Sequence, residues 1–236
     1  MSFLKAEWRK LAIANYAIDK NILSKFVPAG TEIDLWEGKC FVSLVGFMFK
    51  NTRLLGVKVP FHINFEEVNL RFYVKRFENG LLKRGVVFIK EIVPKPALTL
   101  VANTVYNENY ETMPMAHRWE ETPESLFVEY NWQKGNREHS FLIEADLNPV
   151  EIEPNSKTEF ITEHYWGYAK VNEKITNEYE VTHPRWKVYP VRNHFITVDF
   201  GKVYGQEFEF LNSLKPDSIM LAEGSEITVE KKIRIK

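Results

Sequence analysis

The stretch from Phe61 to Lys95, FHINFEEVNLRFYVKRFENGLLKRGVVFIKEIVPK, constrains this chain more than any other. Two long segments rich in β-branched and aromatic residues flank Asn79-Gly80. Asn-Gly readily adopts the two left-handed conformations of a tight hairpin turn, so the stretch predicts a long β-hairpin. In Phe61 to Arg76 the odd positions hold Phe61, Ile63, Phe65, Glu67, Asn69, Arg71 and Tyr73. The even positions hold His62, Asn64, Glu66, Val68, Leu70, Phe72 and Val74. The two faces exchange character near Glu66-Glu67, which predicts a bulge there, because one extra residue inverts the alternation. Beyond it the even face faces a core layer, and Glu67, Asn69 and Arg71 point together to the other side. Such a row is a solvated edge, a structural Glu-Arg pair, or a polar cluster inside a cavity.

Strand signals recur along the rest of the chain. Leu11–Ile18, Ile33–Leu35 and Lys39–Phe49 read as strands, with Asp19 capping a short helix that Pro28-Ala29-Gly30 stops. Asn51–Val57 reads as a loop. Gly85–Val93 is the return strand of the hairpin. Pro94 opens a helix whose Leu98, Val101, Ala102 and Val105 share one face, ending near Asn107–Asn109. Strands follow at Ala116–Glu120, Ser125–Lys134 and Glu138–Ala145. Leu147–Lys157 is an exposed connection, too short to divide the chain, so residues 1–236 read as one domain. A helical turn at Thr158–His164 precedes strands at Tyr165–Val171 and Glu178–Val181 and a corner at His183-Pro184-Arg185-Trp186. Val188–Phe200 is extended and Gln206–Leu214 helical. Asp217–Ala222 and Glu226–Ile235 form a last hairpin turning at Glu223-Gly224-Ser225. The fold class is mainly β (α+β): a barrel or sandwich with a few short helices.

Composition removes several functions. The formal charge of the 236 residues is -1, so no basic excess exists to neutralise a phosphate backbone, and nucleic acid is not an expected partner. Cys40 stands alone, which excludes an internal disulfide and a cysteine zinc site. The longest apolar runs, about ten residues, fall short of a membrane-spanning helix. No signal-peptide pattern opens the chain, and the default location is cytoplasmic. His62, His117, His139, His164, His183 and His194 lack metal-ligand spacing, so no metal is expected. No phosphate loop, dinucleotide fingerprint or serine-hydrolase elbow occurs, and no cofactor is expected.

The candidate chemistry gathers on the first stretch. Arg71 could hold a carboxylate through two parallel hydrogen bonds, with Asn69 beside it. Glu67 could act as acid or base if burial raises its pKa. Lys95, between two prolines, is either a solvated side chain or a nucleophilic amine. Arg118 next to Trp119 reads as a pocket cation or a surface pair. His164 and Trp186 read as aromatic packing or as the rim of a pocket.

Several of these segments resemble the YqjF-like family of uncharacterised proteins, related by fold to acetoacetate decarboxylase. The resemblance is carried by PAGTEID (residues 28–34), Trp36-Glu37-Gly38, Val42-Ser43-Leu44-Val45, FEEVNLRFYV (65–74), Arg84-Gly85-Val86-Val87-Phe88, Thr162-Glu163-His164-Tyr165 and His183-Pro184-Arg185-Trp186. It implies a cone-shaped antiparallel β-barrel with an internal pocket. By position, Glu67 is similar to the decarboxylase's strand glutamate and Lys95 to its Schiff-base lysine. Pro96 stands where that enzyme has a second lysine.

The expected function is a binding or accessory protein whose barrel pocket takes a small, anionic organic ligand. The alternative is an enzyme on keto acids or related carbonyl compounds, a decarboxylase-like lyase using Glu67 with Lys95 or Arg71. A structural or oligomerisation module is the third reading. Exposed edge strands leave room for a homodimer.

Overall fold

The central hairpin organises the structure, a computed structural model that describes residues 2–236. In chain order the strands are β1 (Leu4–Ile18), β2 (Glu32–Ile33), β3 (Cys40–Leu54), β4 (Phe65–Glu78), β5 (Leu81–Val93), β6 (Tyr110–Thr112), β7 (Met115–Glu121) and β8 (Leu126–Lys134). There follow β9 (Arg137–Ala145), β10 (Val150–Glu151), β11 (Trp166–Asn172), β12 (Ile175–Thr182), β13 (Lys187–Tyr189), β14 (Val191–Thr197), β15 (Ser218–Val229) and β16 (Ile233–Ile235). Four short helices punctuate them: α1 (Lys20–Leu23), α2 (Pro96–Val101), α3 (Lys157–Thr162) and α4 (Phe200–Tyr204).

The β4–β5 turn falls at Asn79 (φ 51) and Gly80 (φ 80), as the Asn-Gly signal requires. β3 pairs with β4 from Val42↔Phe72 to Phe49↔Phe65 without a register shift. The bulge expected at Glu66-Glu67 is therefore absent, and parity holds from Phe65 to Tyr73. The extra residue lies in the partner strand instead: Leu70 faces Lys90 while Arg71 faces Phe88, leaving Ile89 unpaired. The odd face mixes Phe65 and Tyr73 with Glu67, Asn69 and Arg71 because it lines a cavity with both apolar and polar walls. Residues 61–64 precede the strand, and Phe61 is 87% exposed.

Strand pairings run β15-β1-β3-β4-β5-β11-β12, and β12 pairs again with β15 at Val181↔Val229 and Thr182↔Thr228. The resemblance implies an antiparallel barrel, but the sheet departs from it, because β5 pairs in parallel with both β11 and β6. Its two faces bury separate clusters. On one, Val68, Leu70, Phe72 and Val74 pack with Val128, Tyr130, Phe141 and Ile143 of the second sheet, ordered β14-β9-β8-β7. Gly46 permits that contact, since a Cβ there would lie 2.8 Å from the Tyr130 ring. On the other face Leu11, Ile13, Val45, Phe47, Phe65, Val86 and Trp186 form the cluster that surrounds the cavity. Each such fully buried side chain contributes on the order of 1.5–3 kcal/mol.

Local signals failed where long-range pairing overrode them. The turn expected at Glu223-Gly224-Ser225 stays inside β15, opposite Trp8 and Arg9 of β1. Gly224 (φ 80) and Lys10 (φ 53) absorb the irregularity, and a Cβ at Gly224 would overlap the Trp8 carbonyl oxygen. β3 continues through most of the expected Asn51–Val57 loop, turning only at Leu55-Gly56. Pro96, not Pro94, occupies the first turn of α2, with Lys95 as its cap residue. That helix passes into a π turn (Ala102–Tyr106) that ends at Asn107 (φ 62), short of β6, which has no signal of its own. The Asp19 cap is present, its Oδ1 accepting the Asn21 N–H at 2.9 Å. No helix among the described residues is long and apolar enough to cross a membrane.

Candidate functional site

Alternation along β4 sends Glu67, Asn69 and Arg71 to one face, where they are 2, 1 and 7% exposed. All three line a cavity of about 250 Å³, close to the lower end of the ~300–1,000 Å³ of small-molecule sites. Its walls are largely apolar, with Trp8, Phe47, Phe49, Val86, Leu98 and Trp186. The Phe49 and Phe65 rings stack at 4.7 Å, and the Trp186 indole is fixed by donating to Ser225 Oγ at 2.9 Å. Two polar ends interrupt this lining.

The first end is acidic. Glu67 Oε1 accepts from Asn69 Nδ2 at 3.0 Å and its Oε2 from the Tyr110 hydroxyl at 3.2 Å. Glu91, directly across from Asn69 on β5, is 2% exposed, and its Oε2 has no partner. Glu108 accepts from the Tyr179 hydroxyl at 2.7 Å. The segment after α2 delivers Glu108 and Tyr110 here, pinned by Asn109: its carbonyl accepts the Glu91 N–H at 3.0 Å and its Nδ2 donates to Ile89 O at 2.7 Å. Burial raises the Glu67 and Glu108 carboxyls to about 7, against the opposing help of their hydrogen bonds. Glu91 is pushed well above the usual range by burial first and by Glu108 and Glu67 second. Glu67 and Glu108 are poised to hold or move protons near neutrality.

The second end is basic. Arg71 makes no ion pair or hydrogen bond with any described residue; its Nε lacks a partner and its guanidinium lies 5.8 Å over the Tyr73 ring. His164 packs 4.7 Å from Tyr73, and its Nε2 sits 3.5 Å from Asp34 Oδ2. Burial lowers His164 to about 4, so its ring is neutral at pH 7. Asp34 is itself held by Arg84 at 2.7 Å. His183 stacks on Trp186 at 4.2 Å and on Tyr165 at 4.7 Å.

The fold thus brings Glu67, Asn69, Arg71, His164 and Trp186 to one cavity. It does not bring Lys95 or Arg118. Lys95 is half-buried at the start of α2, outside the lining, and its charge bears on Glu66. Arg118 is exposed on β7 and paired with Glu129 at 3.2 Å and Glu120 at 3.4 Å. Glu91, Glu108, Tyr110 and Tyr179 escaped the sequence reading. Glu91 carried a usable signal, a charge inside the apolar run of a central strand; Glu108 and Tyr110 lie in a segment with no periodicity. Among the described residues no three histidine, cysteine or carboxylate side chains group as a metal site.

Architecture and cavity together define a mainly β protein with an acetoacetate decarboxylase-like fold. Acetoacetate decarboxylase from Legionella pneumophila superposes with a TM-score of 0.65 at 10% identity, over 99% of this chain and 87% of that one. The enduracididine biosynthesis enzyme MppR, bound to HEPES, gives 0.70 at 10% identity, over 100% and 89%. The chain belongs to the DUF2071 family, described as an uncharacterised conserved protein, whose profile matches residues 5–226. YqjF of Bacillus subtilis strain 168 is 26% identical over 189 residues, 78% of this chain and 74% of that protein.

Proposed function

We propose that residues 1–236 act as one domain, a barrel closed through the β12–β15 pairing, that binds a small organic carboxylate in its cavity. The observation that carries this reading is Arg71, a guanidinium 7% exposed with no anionic partner, aimed into an apolar chamber. A buried charge without a counter-ion is costly, and a carboxylate ligand supplies one through charge-assisted hydrogen bonds. The apolar walls suit a ligand with a hydrocarbon body. MppR, which shares the fold, is known in complex with pyruvate, a small keto acid. The formal charge of -1 supports a protein working away from nucleic acid. A thermal-shift panel of pyruvate, octanoate and 3-phenylpropanoate tests the reading. At least one should raise the melting temperature in proportion to log concentration, and none doing so refutes it.

Glu67 favours a second reading, proton transfer on a carbonyl compound. A carboxyl raised to about 7 takes and returns a proton readily at neutral pH. Glu67 would remove a proton from the carbon next to the carbonyl, the C–H electron pair passing into an enolate stabilised by Arg71. Among the described residues no lysine lines the cavity, so a Schiff base has no support there. Deuterium exchange at the methyl group of pyruvate in heavy water, lost in Glu67→Gln, would support this chemistry, and absence of exchange would end it.

A further inference from the structure

The acidic end of the cavity has no internal counterpart. Glu67, Glu91 and Glu108 converge on it from β4, β5 and the segment before β6, with the Tyr110 and Tyr179 hydroxyls between them. Among the described residues no lysine lines the cavity, and Arg71 bonds to none of the three. Two side-chain oxygens of lining residues there lack a partner: Glu91 Oε2, in a side chain 2% exposed, and Asn69 Oδ1, in one 1% exposed. Asn69 is oriented by its own donation to Glu67, so its oxygen cannot turn away without breaking that bond. A buried acceptor left unpaired costs about 1–3 kcal/mol, and native interiors rarely tolerate two side by side. Among the unpartnered donors on the lining, which also include Trp8 Nε1 and the ring N–H of His164, Arg71 Nε is the one on a cation. The cavity therefore offers a donor at one end, acceptors at the other and hydrocarbon between.

We infer that the ligand is an amino acid in the broad chemical sense: an apolar body carrying a carboxylate for Arg71 and a protonated nitrogen for Asn69 and Glu91. This rests on the carboxylate reading above and adds the second group. Asn69 and Arg71 are two residues apart on β4, about 7 Å at strand spacing. That spacing sets the separation between the ligand's nitrogen and its carboxylate at a few bonds. A neutral or purely anionic ligand would fill the same walls but leave the three carboxyls facing an apolar surface.

Four probes of one skeleton test the inference by titration calorimetry: 3-phenylpropanoate, phenylalanine, 3-amino-3-phenylpropanoate and 2-phenylethylamine. At least one of the two amino acids should bind roughly tenfold tighter than 3-phenylpropanoate, the scale of one hydrogen bond to a charged group. In Glu91→Gln, and separately in Glu108→Gln, that ratio should fall toward one, with circular dichroism confirming the fold. If 3-phenylpropanoate binds and neither amino acid binds tighter, or if the ratio survives both substitutions, the second group is refuted and the carboxylate reading stands. If 2-phenylethylamine binds and is lost in Glu91→Gln while no carboxylate probe binds, the acidic end holds a nitrogen, but the amino-acid proposal and the carboxylate reading are overturned together.

Discussion

Glu67 and Arg71 project from the same face of β4 into the same cavity and do not form an ion pair. Four residues of extended chain separate them by about 13 Å at the backbone. Each is buried without a direct contact to the other, although the Arg71 charge draws the Glu67 pKa down against the effect of burial. A structural Glu-Arg pair, the plain alternative for this spacing, is not what the chain builds.

The unliganded protein should therefore gain stability when Arg71 is removed. Arg71→Met replaces a lone buried cation by an apolar chain of similar length. About 1 kcal/mol of relief would raise the melting temperature by roughly 2–4 °C. Differential scanning calorimetry reads it directly, and a large fall would show that the guanidinium has a structural partner.

Two sets of groups pull the pH dependence of stability in opposite directions. Glu67 and Glu108 have carboxyls raised from the ordinary 4.5 to about 7 in the folded state. Between those values the folded chain holds protons the unfolded chain releases, so these groups destabilise progressively as pH rises from about 4.5 to about 7. His164 is lowered from 6.5 to about 4, so the unfolded chain binds its proton first, and stability is lost as pH falls through that window. The difference isolates each. Relative to the wild type, Glu67→Gln should become more stable as pH rises from 5 to 7, and a His164→Asn variant should be less sensitive to acid over the same range. Urea unfolding at several pH values checks both, and parallel curves would contradict them.

Gly167 should prove intolerant of substitution for a reason tied to the site. A Cβ there would overlap the ring of Tyr179, whose hydroxyl donates to Glu108. Gly167→Ala should cost about 1–3 kcal/mol through overpacking and also displace the tyrosine from the carboxylate. Equilibrium unfolding measures the first. A wild-type melting temperature would show that the ring can step aside.

Borohydride reduction in the presence of pyruvate should leave the intact mass unchanged. Lys95 lies outside the cavity lining, and no lysine among the described residues is within it. A mass increase mapped to Lys95 would place the reactive site elsewhere.

How far these features could be read from the chain alone depends on the range of the forces that fix them. The hairpin at Asn79-Gly80, the shared face of Glu67, Asn69 and Arg71, and the apolar even face were legible, because strand alternation and turn chemistry are local; alternation alone left open whether that row met a cavity or water. The apparent face swap at Glu66-Glu67 misled, since alternation cannot distinguish a bulge from a wall that is both greasy and polar. Glu223-Gly224-Ser225 carries every mark of a turn, yet pairing with β1 keeps it extended. Glu108 and Tyr110 reach the site only because a π turn and Asn107 redirect the chain after α2, an event without a periodic signature. Lys95 was matched by its place in the chain, and its position at a helix start keeps it outside.

Titration calorimetry of 3-phenylpropanoate into the wild type and into Arg71→Met, side by side at neutral pH, bears most directly on the cavity as a carboxylate site. The expected result is saturable binding to the wild type that weakens by at least tenfold in the variant, in line with the loss of a charge-assisted pair. Equal affinity for the two proteins, or heat in neither, would contradict it.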